Sequence, residues 1–222
     1  MTATAVAASL SMAFAVPVCD YLDEPAFLTD YADWPFTLVD TVFRLPVDYV
    51  PADLVPLNRA GFDDDRLIRQ VVIDDLTALR EAAEAAGNPL EVQSAYRSYA
   101  YQEQTFAFWV AQDGREAALA SSARPGHSEH QLGTALDFRS AGGAAPWDLA
   151  DWGDTTAGAW MLENSWKYGF VVSYPAGTRD ITCYIYEPWH YRYVGRDVAG
   201  QIHESGVTPR EWLWAYQQSL TD

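Results

Sequence analysis

The chain has 222 residues, of which 49% are hydrophobic and 14% aromatic, and it carries a formal net charge of −17 at pH 7. This composition predicts a globular protein, in one domain with extensions, and excludes a disordered chain. The charge argues against a protein that binds nucleic acid or anionic membranes, because both need clustered Lys and Arg, and no apolar run reaches the roughly 18 residues that a membrane span requires.

Residues 1–18 have some features of a secretory signal peptide. The stretch from Ala5 to Val18 is apolar and built of small residues, and the Ala-Phe-Ala sequence at 13–15 resembles a signal-peptidase site. The usual positive charge at the start is missing, because the first basic residue is Arg44. A signal peptide and a short helical or disordered leader are therefore both consistent with the sequence.

Residues 19–62 form a proline-rich arm, in which the prolines prevent any long helix and predict extended pieces and turns. Its aromatic residues are expected to pack against other parts of the folded chain, which argues against a loose linker. They include Trp34, Phe36, Phe43 and Tyr49.

The two cysteines, Cys19 and Cys183, match no metal-binding spacing. Two buried free thiols are one interpretation. In an exported protein a disulfide between them would pin the arm to the remainder of the chain, and this is the interpretation we favour.

The first half of the remaining chain, residues 63–222, predicts three helices and one strand. Hydrophobic spacing and the flanking glycines place them as follows: a helix capped by Asp63 or Asp64 and ending at Gly87, a strand at Leu90–Ser94, a helix from about Tyr99 to Gln112, and an Ala-rich helix after Gly114 that ends near Ala123.

The second half predicts short strands between loops and helices. They are strands at Thr134–Arg139, Phe170–Tyr174, Cys183–Tyr186 and Trp189–Val194, a helix from Thr155 or Thr156 towards Gly169, and a C-terminal helix whose start at Thr208, Pro209 and Glu211 has the pattern of a capping box. Because there is no regular βαβ alternation, we expect an α+β fold with a small antiparallel sheet.

Residues that could bind a metal concentrate in two stretches. The first, PGHSEHQLGTALD at 125–137, includes His130 and Asp137, and the second, EPWH at 187–190, ends with His190. Catalytic zinc sites use three such protein ligands, usually from distant parts of the chain, and leave a fourth position open for water. These three residues therefore predict a catalytic zinc site.

An alternative ligand set replaces Asp137 with His127, because His127 and His130 are three residues apart and could share a helical face. Pro125 and Gly126 argue against a helix there, so we prefer Asp137. Glu129 is next to the predicted ligand His130. We expect its side chain either to contact a ligand without binding the metal itself or to be solvated.

Two further residues have the chemistry of catalytic groups. Zinc lowers the pKa of bound water, and Glu187 is placed to accept its proton, although a glutamate in an ordinary salt bridge is the alternative. Glu187 and His190 need a local bend at Pro188 to share a site, because residues three apart in a regular strand face opposite sides. The attack of water on a carbonyl creates an oxyanion, which a nearby cation stabilises. Arg97, at the predicted end of a strand, is the best candidate for that cation.

Together these motifs resemble the LAS metallopeptidases, and within them the VanY-type D-Ala-D-Ala carboxypeptidases. The resemblance covers about residues 36–220, and it is carried by YRSY at 96–99 with Gln102, SEHQLGTALD at 128–137, NSWKYGFVVSYP at 164–175 and YEPWHYRYVG at 186–195.

The resemblance implies the LAS fold (D-Ala-D-Ala peptidase/hedgehog-like), with a small antiparallel sheet flanked by helices, and a Zn²⁺ cofactor. It assigns the zinc ligands to His130, Asp137 and His190, the base to Glu187 and the oxyanion cation to Arg97. It also implies that Ser128 and Gln102 contact substrate.

The implied activity is removal of the terminal D-Ala from peptidoglycan stem peptides, by a monomer located outside the cell or in the bacterial cell wall. L,D-carboxypeptidases, endopeptidases and non-catalytic zinc-bearing wall-binding modules are alternatives on the same scaffold. The presence of both Glu187 and Arg97 weighs against a binding module, because binding alone would not need them.

Overall fold

A computed structural model describes residues 15–220. The predicted signal segment, residues 1–18, therefore lies mostly outside the described residues. Within the described part of the chain, no helix is both long enough and apolar enough to cross a membrane.

The described chain is a mixture of short strands and helices. The strands are β1 (Glu24–Pro25), β2 (Phe43–Arg44), β3 (Leu54–Pro56), β4 (Leu67–Arg69), β5 (Leu90–Ser94), β6 (Ala135–Ser140), β7 (Phe170–Val172) and β8 (His190–Tyr193). The helices are α1 (Ile73–Ala85), α2 (Tyr99–Asp113), α3 (Arg115–Ser121), α4 (Thr156–Asn164), α5 (Arg179–Thr182), α6 (Arg196–Ser205) and α7 (Pro209–Gln218). The predicted α+β class is confirmed.

The central sheet is antiparallel and has the strand order β5-β6-β8-β7. Strand β6 alternates between its two faces, so Leu136 and Phe138 enter the main hydrophobic core while Asp137 faces the opposite side. In the β6–β8 ladder Asp137 pairs directly with His190. The sheet register therefore brings together two predicted ligands that are 53 residues apart in sequence.

The arm packs tightly across the sheet and the C-terminal helices. The ring of Trp34 stacks on Tyr193 of β8 at 5.1 Å, and the ring of Phe36 stacks on Tyr216 of α7 at 4.2 Å. Phe43 is buried in a second core cluster that includes apolar residues of α6 and α7. The arm is thus part of the folded core and not a loose linker.

The first predicted helix begins later than the sequence suggested. Hydrophobic spacing placed its start at Asp63 or Asp64, but Leu67–Arg69 forms strand β4, which pairs antiparallel with β3 of the arm. The backbone N–H of Arg69 also donates to the carbonyl of Gly133. These tertiary hydrogen bonds outweigh helical propensity, so α1 starts only at Ile73.

The predicted strand at Cys183–Tyr186 is wrong. Residues 179–182 form the short helix α5, and Cys183 ends it with a φ of 72°, in the left-handed region that no strand contains. After this turn, the N–H of Ile185 donates to the carbonyl of Ala120 at the end of α3. The segment therefore runs as an irregular connection towards Glu187.

A disulfide joins Cys19 to Cys183, across a sequence separation of 164 residues. Arg210 of α7 reinforces this junction, because its guanidinium pairs with Asp40 at 2.6 Å and donates to the carbonyls of Pro17 and Ile181.

Replacing both cysteines with serine is expected to lower the free energy of unfolding by up to about 4–5 kcal/mol, because the bond restricts a very long loop in the unfolded chain. Denaturant unfolding of the double variant beside the unreduced parent measures the difference, and the reduced parent is the matched control. A difference below about 0.5 kcal/mol, or two free thiols in unfolded, unreduced protein from an oxidising compartment, would contradict this expectation.

Candidate active site

The loop before β6 turns sharply at Gly133, which has a φ of +72°. A Cβ atom at this position would lie 2.9 Å from Cγ of Arg69, so only glycine fits without a shift of the neighbour. The turn follows a 3₁₀ helix, Glu129–Leu132, whose first residues are capped by the Ser128 hydroxyl. This local geometry directs His130 of the loop and Asp137 of the strand towards the same place.

The three predicted ligands converge. The candidate ligand atoms of His130, Asp137 and His190 all lie within 4.8 Å of one another, and all three residues are buried. Nε2 of His130 lies 3.3 Å from one carboxylate oxygen of Asp137, and Nδ1 of His190 lies 3.0 Å from the other.

The hydrogen bonds of the two imidazoles favour metal binding. His130 donates from Nδ1 to the carbonyl of Ala95 at 2.7 Å, which leaves the Nε2 lone pair facing Asp137; this buried Nε2 is not aligned for a hydrogen bond with any described group. Nε2 of His190 lies 2.9 Å from Glu129, which leaves Nδ1 towards the same point. One carboxylate and two such imidazoles fit zinc.

The protonation states of His130 and Asp137 fit the same role, whereas His190, in spite of its burial, has its pKa raised to about 10 by hydrogen bonds to Asp137 and Glu129, so a metal ion must displace a proton from this ring. Burial lowers the pKa of His130 to about 4, with a further contribution from the Arg97 cation, so this imidazole is neutral at pH 7. Burial opposes ionisation of Asp137, yet the hydrogen bond and positive charge of His190 help to hold its pKa well below the usual range. A neutral imidazole and an ionised carboxylate are the forms that bind metals.

The alternative ligand set with His127 is not assembled. Nδ1 of His127 lies 2.7 Å from the carbonyl of Asp40, and Nε2 lies 2.9 Å from the Asp23 carboxylate of the arm. Both ring nitrogens are therefore occupied at the junction between the arm and the loop.

Glu187 and Arg97 line the same cavity of about 570 Å³ as the three ligands. The bend expected at Pro188 is present, because the N–H of His190 donates to the carbonyl of Glu187 at 3.1 Å. Burial raises the pKa of Glu187 to about 8, which is the environment of a proton acceptor. Nη1 of Arg97 lies 4.0 Å from Asp137.

Ser128 and Gln102 are placed differently. Ser128 lines the cavity, and its hydroxyl accepts a hydrogen bond from the N–H of His130. Gln102 of α2 is fully buried and donates to the carbonyl of Ala123, which itself lines the cavity. Gln102 thus lies behind the wall of the cavity, and its contact with substrate stays a prediction.

One side of the cavity is aromatic. The rings of Trp109 and Trp189 each contact Trp147 edge to face at 6.3 Å, and all three line the cavity. Tyr174 stacks on the His190 ring at 4.9 Å and so limits its rotation.

Sequence reasoning missed Arg192, which is fully buried in β8, and did not resolve the role of Glu129. The two side chains form an ion pair at 3.1 Å directly behind His190. Burial opposes ionisation of Glu129, but His190 and Arg192 lower its pKa to about 2. A lone arginine within the strand sequence HYRYV was the available signal, because a charge in such a strand needs a buried partner.

Several known carboxypeptidases have similar sequences. The sequence profile described as "VanY: D-alanyl-D-alanine carboxypeptidase" matches residues 65–196. The "Putative carboxypeptidase YodJ" of Bacillus subtilis is 39% identical over 180 residues, which are 79% of this chain and 66% of the relative. A D-alanyl-D-alanine carboxypeptidase of Enterococcus faecalis is 31% identical over 193 residues, 83% of this chain and 67% of the relative. The chain thus spans about two thirds of the length of these curated relatives.

Solved structures that resemble this chain include an LD-carboxypeptidase and a D,D-pentapeptidase. The LD-carboxypeptidase LdcB superposes with a TM-score of 0.71 and 38% identity, over 80% of this chain and 85% of that chain. A variant of the vancomycin-resistance D,D-pentapeptidase VanY, solved in complex with Zn(II), has a TM-score of 0.69 and 32% identity, over 81% of this chain and 99% of that chain. The predicted zinc cofactor is confirmed by this zinc-bound relative together with the assembled His-Asp-His group. The chain therefore belongs to the VanY family of zinc D-alanyl-D-alanine carboxypeptidases.

Proposed function

We propose that this protein removes the C-terminal D-Ala from peptidoglycan stem peptides that end in D-Ala-D-Ala. The observation that carries the proposal is the meeting of a zinc-binding group, a buried carboxylate and a cation in one cavity. The D-alanyl-D-alanine carboxypeptidase from Enterococcus faecalis supports the substrate class. The disulfide fits a location outside the cytoplasm, where peptidoglycan lies.

In this proposal His130, Asp137 and His190 hold the zinc ion. When bound, zinc polarises carbonyl oxygens and lowers the pKa of water. Glu187 accepts the proton of the attacking water and returns it to the leaving amine, a role suited to a carboxylate whose pKa burial raises to about 8. Ser128, on the cavity wall, contacts the substrate.

Arg97 stabilises the negative charge that develops on the scissile carbonyl oxygen. Its guanidinium lines the cavity, and its Nε is buried without a hydrogen-bond partner among the described residues, so the group has unused donor capacity.

The Arg97→Ala variant is expected to lose about 10²–10³-fold in turnover, because one oxyanion donor is typically responsible for that much. Zinc content should stay unchanged. Steady-state kinetics and metal analysis measure the two quantities, and Arg139→Ala, which breaks the Glu91 ion pair on the same sheet outside the cavity, is the control. Turnover within a few-fold of the parent, or a parallel loss of zinc, would contradict the role.

The second candidate function is L,D-carboxypeptidase activity, favoured by the 38% identity to LdcB, which exceeds the identity to the zinc-bound VanY variant. Both activities release D-Ala and differ in the residue that precedes it. Substrate choice therefore depends on the cavity wall, including the three tryptophans, and not on the zinc ligands.

Mass analysis of products from a UDP-linked pentapeptide and a UDP-linked tetrapeptide tests the proposal. Loss of one Ala from the pentapeptide alone supports D,D-carboxypeptidase activity, whereas loss from the tetrapeptide alone supports the second candidate. Products from cross-linked wall only would indicate an endopeptidase. No product from any of these substrates, with zinc bound, would indicate a wall-binding module.

A further inference from the structure

Glu129 is an enclosed carboxylate whose two oxygens are both engaged. Oε2 accepts a hydrogen bond from the Ser173 hydroxyl at 2.6 Å and lies 2.9 Å from Nε2 of His190. Oε1 accepts from Nη1 of Arg192 at 3.1 Å. The residue does not line the large cavity, so it is not placed to touch substrate.

Arg192 connects this carboxylate to the arm. Its side chain has 0% exposure, and Nη2 donates to the carbonyls of Trp34 at 2.9 Å and Thr37 at 2.7 Å. A continuous series of hydrogen bonds therefore runs from the arm backbone through Arg192 and Glu129 to His190.

A buried ion pair of this kind is a poor source of stability, because removing both charges from water costs about as much as their attraction returns. Its geometry points to another role. A carboxylate that accepts from Nε2–H of His190 fixes the tautomer with its lone pair on Nδ1, the atom that faces Asp137. Arg192 in turn holds the other oxygen of the carboxylate and so helps Ser173 to keep it directed at the ring.

We propose that Glu129 and Arg192 are positioning residues of the zinc centre, and that Arg192 makes the arm segment 34–37 part of that centre. This inference rests on the proposed zinc site, with His190 as a ligand. Zinc affinity is therefore expected to depend on an arginine whose side chain has its described hydrogen bonds with Glu129 and the arm and none with the three ligands.

Two conservative variants test the proposal. Arg192→Lys keeps the charge but has one nitrogen in place of the two that reach Glu129 and the arm carbonyls. Glu129→Gln keeps the shape but has one oxygen, so its NH₂ group must face a donor, either His190 or Arg192. The dissociation constant for zinc is measured by chelator competition, and the absorption spectrum of the Co²⁺-substituted protein reports the ligand geometry.

Each variant is expected to weaken zinc binding by about 10–100-fold, the usual effect of losing a group that orients a metal-bound histidine. Each should also shift the Co²⁺ spectrum. Because the two residues act as one unit, the double variant is expected to lose much less affinity than the two single losses multiplied together.

Arg210→Lys is the matched control. Arg210 is also a buried arginine that pairs with one carboxylate, Asp40, and donates to two carbonyls, but none of these partners has a described side-chain hydrogen bond to a predicted zinc ligand. Thermal melting of the metal-free variants compares the structural cost of the two substitutions. Arg210→Lys should lower the melting temperature about as much as Arg192→Lys while zinc affinity stays at the parent value.

Parent affinity in both Arg192→Lys and Glu129→Gln would overturn the inference, as would equal losses in Arg210→Lys. If Arg192→Lys fails to fold, Glu129→Gln decides alone. The His190→Ala variant distinguishes a failure of the proposed zinc site from a failure of the positioning role alone. If it binds zinc as the parent does, the proposed zinc site fails; if it loses zinc while the positioning variants do not, only this inference fails.

Discussion

A Glu187→Gln protein is expected to keep its fold and its zinc and to lose about 10²–10⁴-fold in kcat, the usual effect of removing a general base. The amide has the shape of the carboxylate but cannot accept a proton. The position of residue 187 depends on backbone hydrogen bonds, from its N–H to Tyr174 and from the N–H of His190 to its carbonyl, and the substitution leaves both intact.

Steady-state kinetics with metal analysis measure this effect. Glu163→Gln, an exposed glutamate on α4, is the control and should behave as the parent does. Because the base acts only when deprotonated, parent activity should rise with pH through its pKa, and that acid limb should disappear in the Gln variant. Activity within a few-fold of the parent would show that another group takes the proton.

Asp137→Ala is expected to abolish stable zinc binding, whereas His127→Ala should retain a full complement of metal. Removing Asp137 leaves two imidazoles without the carboxylate that lies within 3.3 Å of both rings. His127 instead contacts Asp40 and Asp23, so its loss affects the junction with the arm.

Metal analysis after dialysis distinguishes the two variants, and circular dichroism checks that each is folded. Asp137→Asn, which preserves the volume of the side chain, controls for the cavity that alanine leaves. A His127→Ala protein without zinc, beside an Asp137→Ala protein with zinc, would refute the ligand assignment.

Local chemistry makes the site predictable. The concentration of imidazoles and carboxylates in two short stretches marks these stretches as a candidate metal site. The choice of Asp137 over His127 as a ligand needed the Pro-Gly pair at 125–126 and the family resemblance as well. The alternation of β6 also follows from its sequence, because apolar Leu136 and Phe138 must share one face.

What the sequence could not reveal depends on contacts between distant segments. Leu67 and Ile68 suit a helix as well as a strand, and only the pairing of β4 with β3 selects the strand. The ion pair of Glu129 with Arg192 was equally hidden, because Arg192 is buried by an arm that lies more than a hundred positions earlier in the chain. The position of the Gln102 side chain behind the cavity wall also depends on such a contact, its hydrogen bond to the carbonyl of Ala123.

The hydrogen bonds of Arg192 have a consequence for shortened versions of this protein. Sequence similarity to the family profile starts at residue 65, yet Arg192 finds two of its acceptors at Trp34 and Thr37. A protein cut at residue 65 would lose both of these acceptors together with the segment that covers the guanidinium, so Arg192 would no longer be held in place against Glu129. It would also expose the apolar surface of α6 and α7 that Leu38 and Phe43 cover. The smallest stretch expected to fold by itself is therefore longer than the stretch by which the family is recognised.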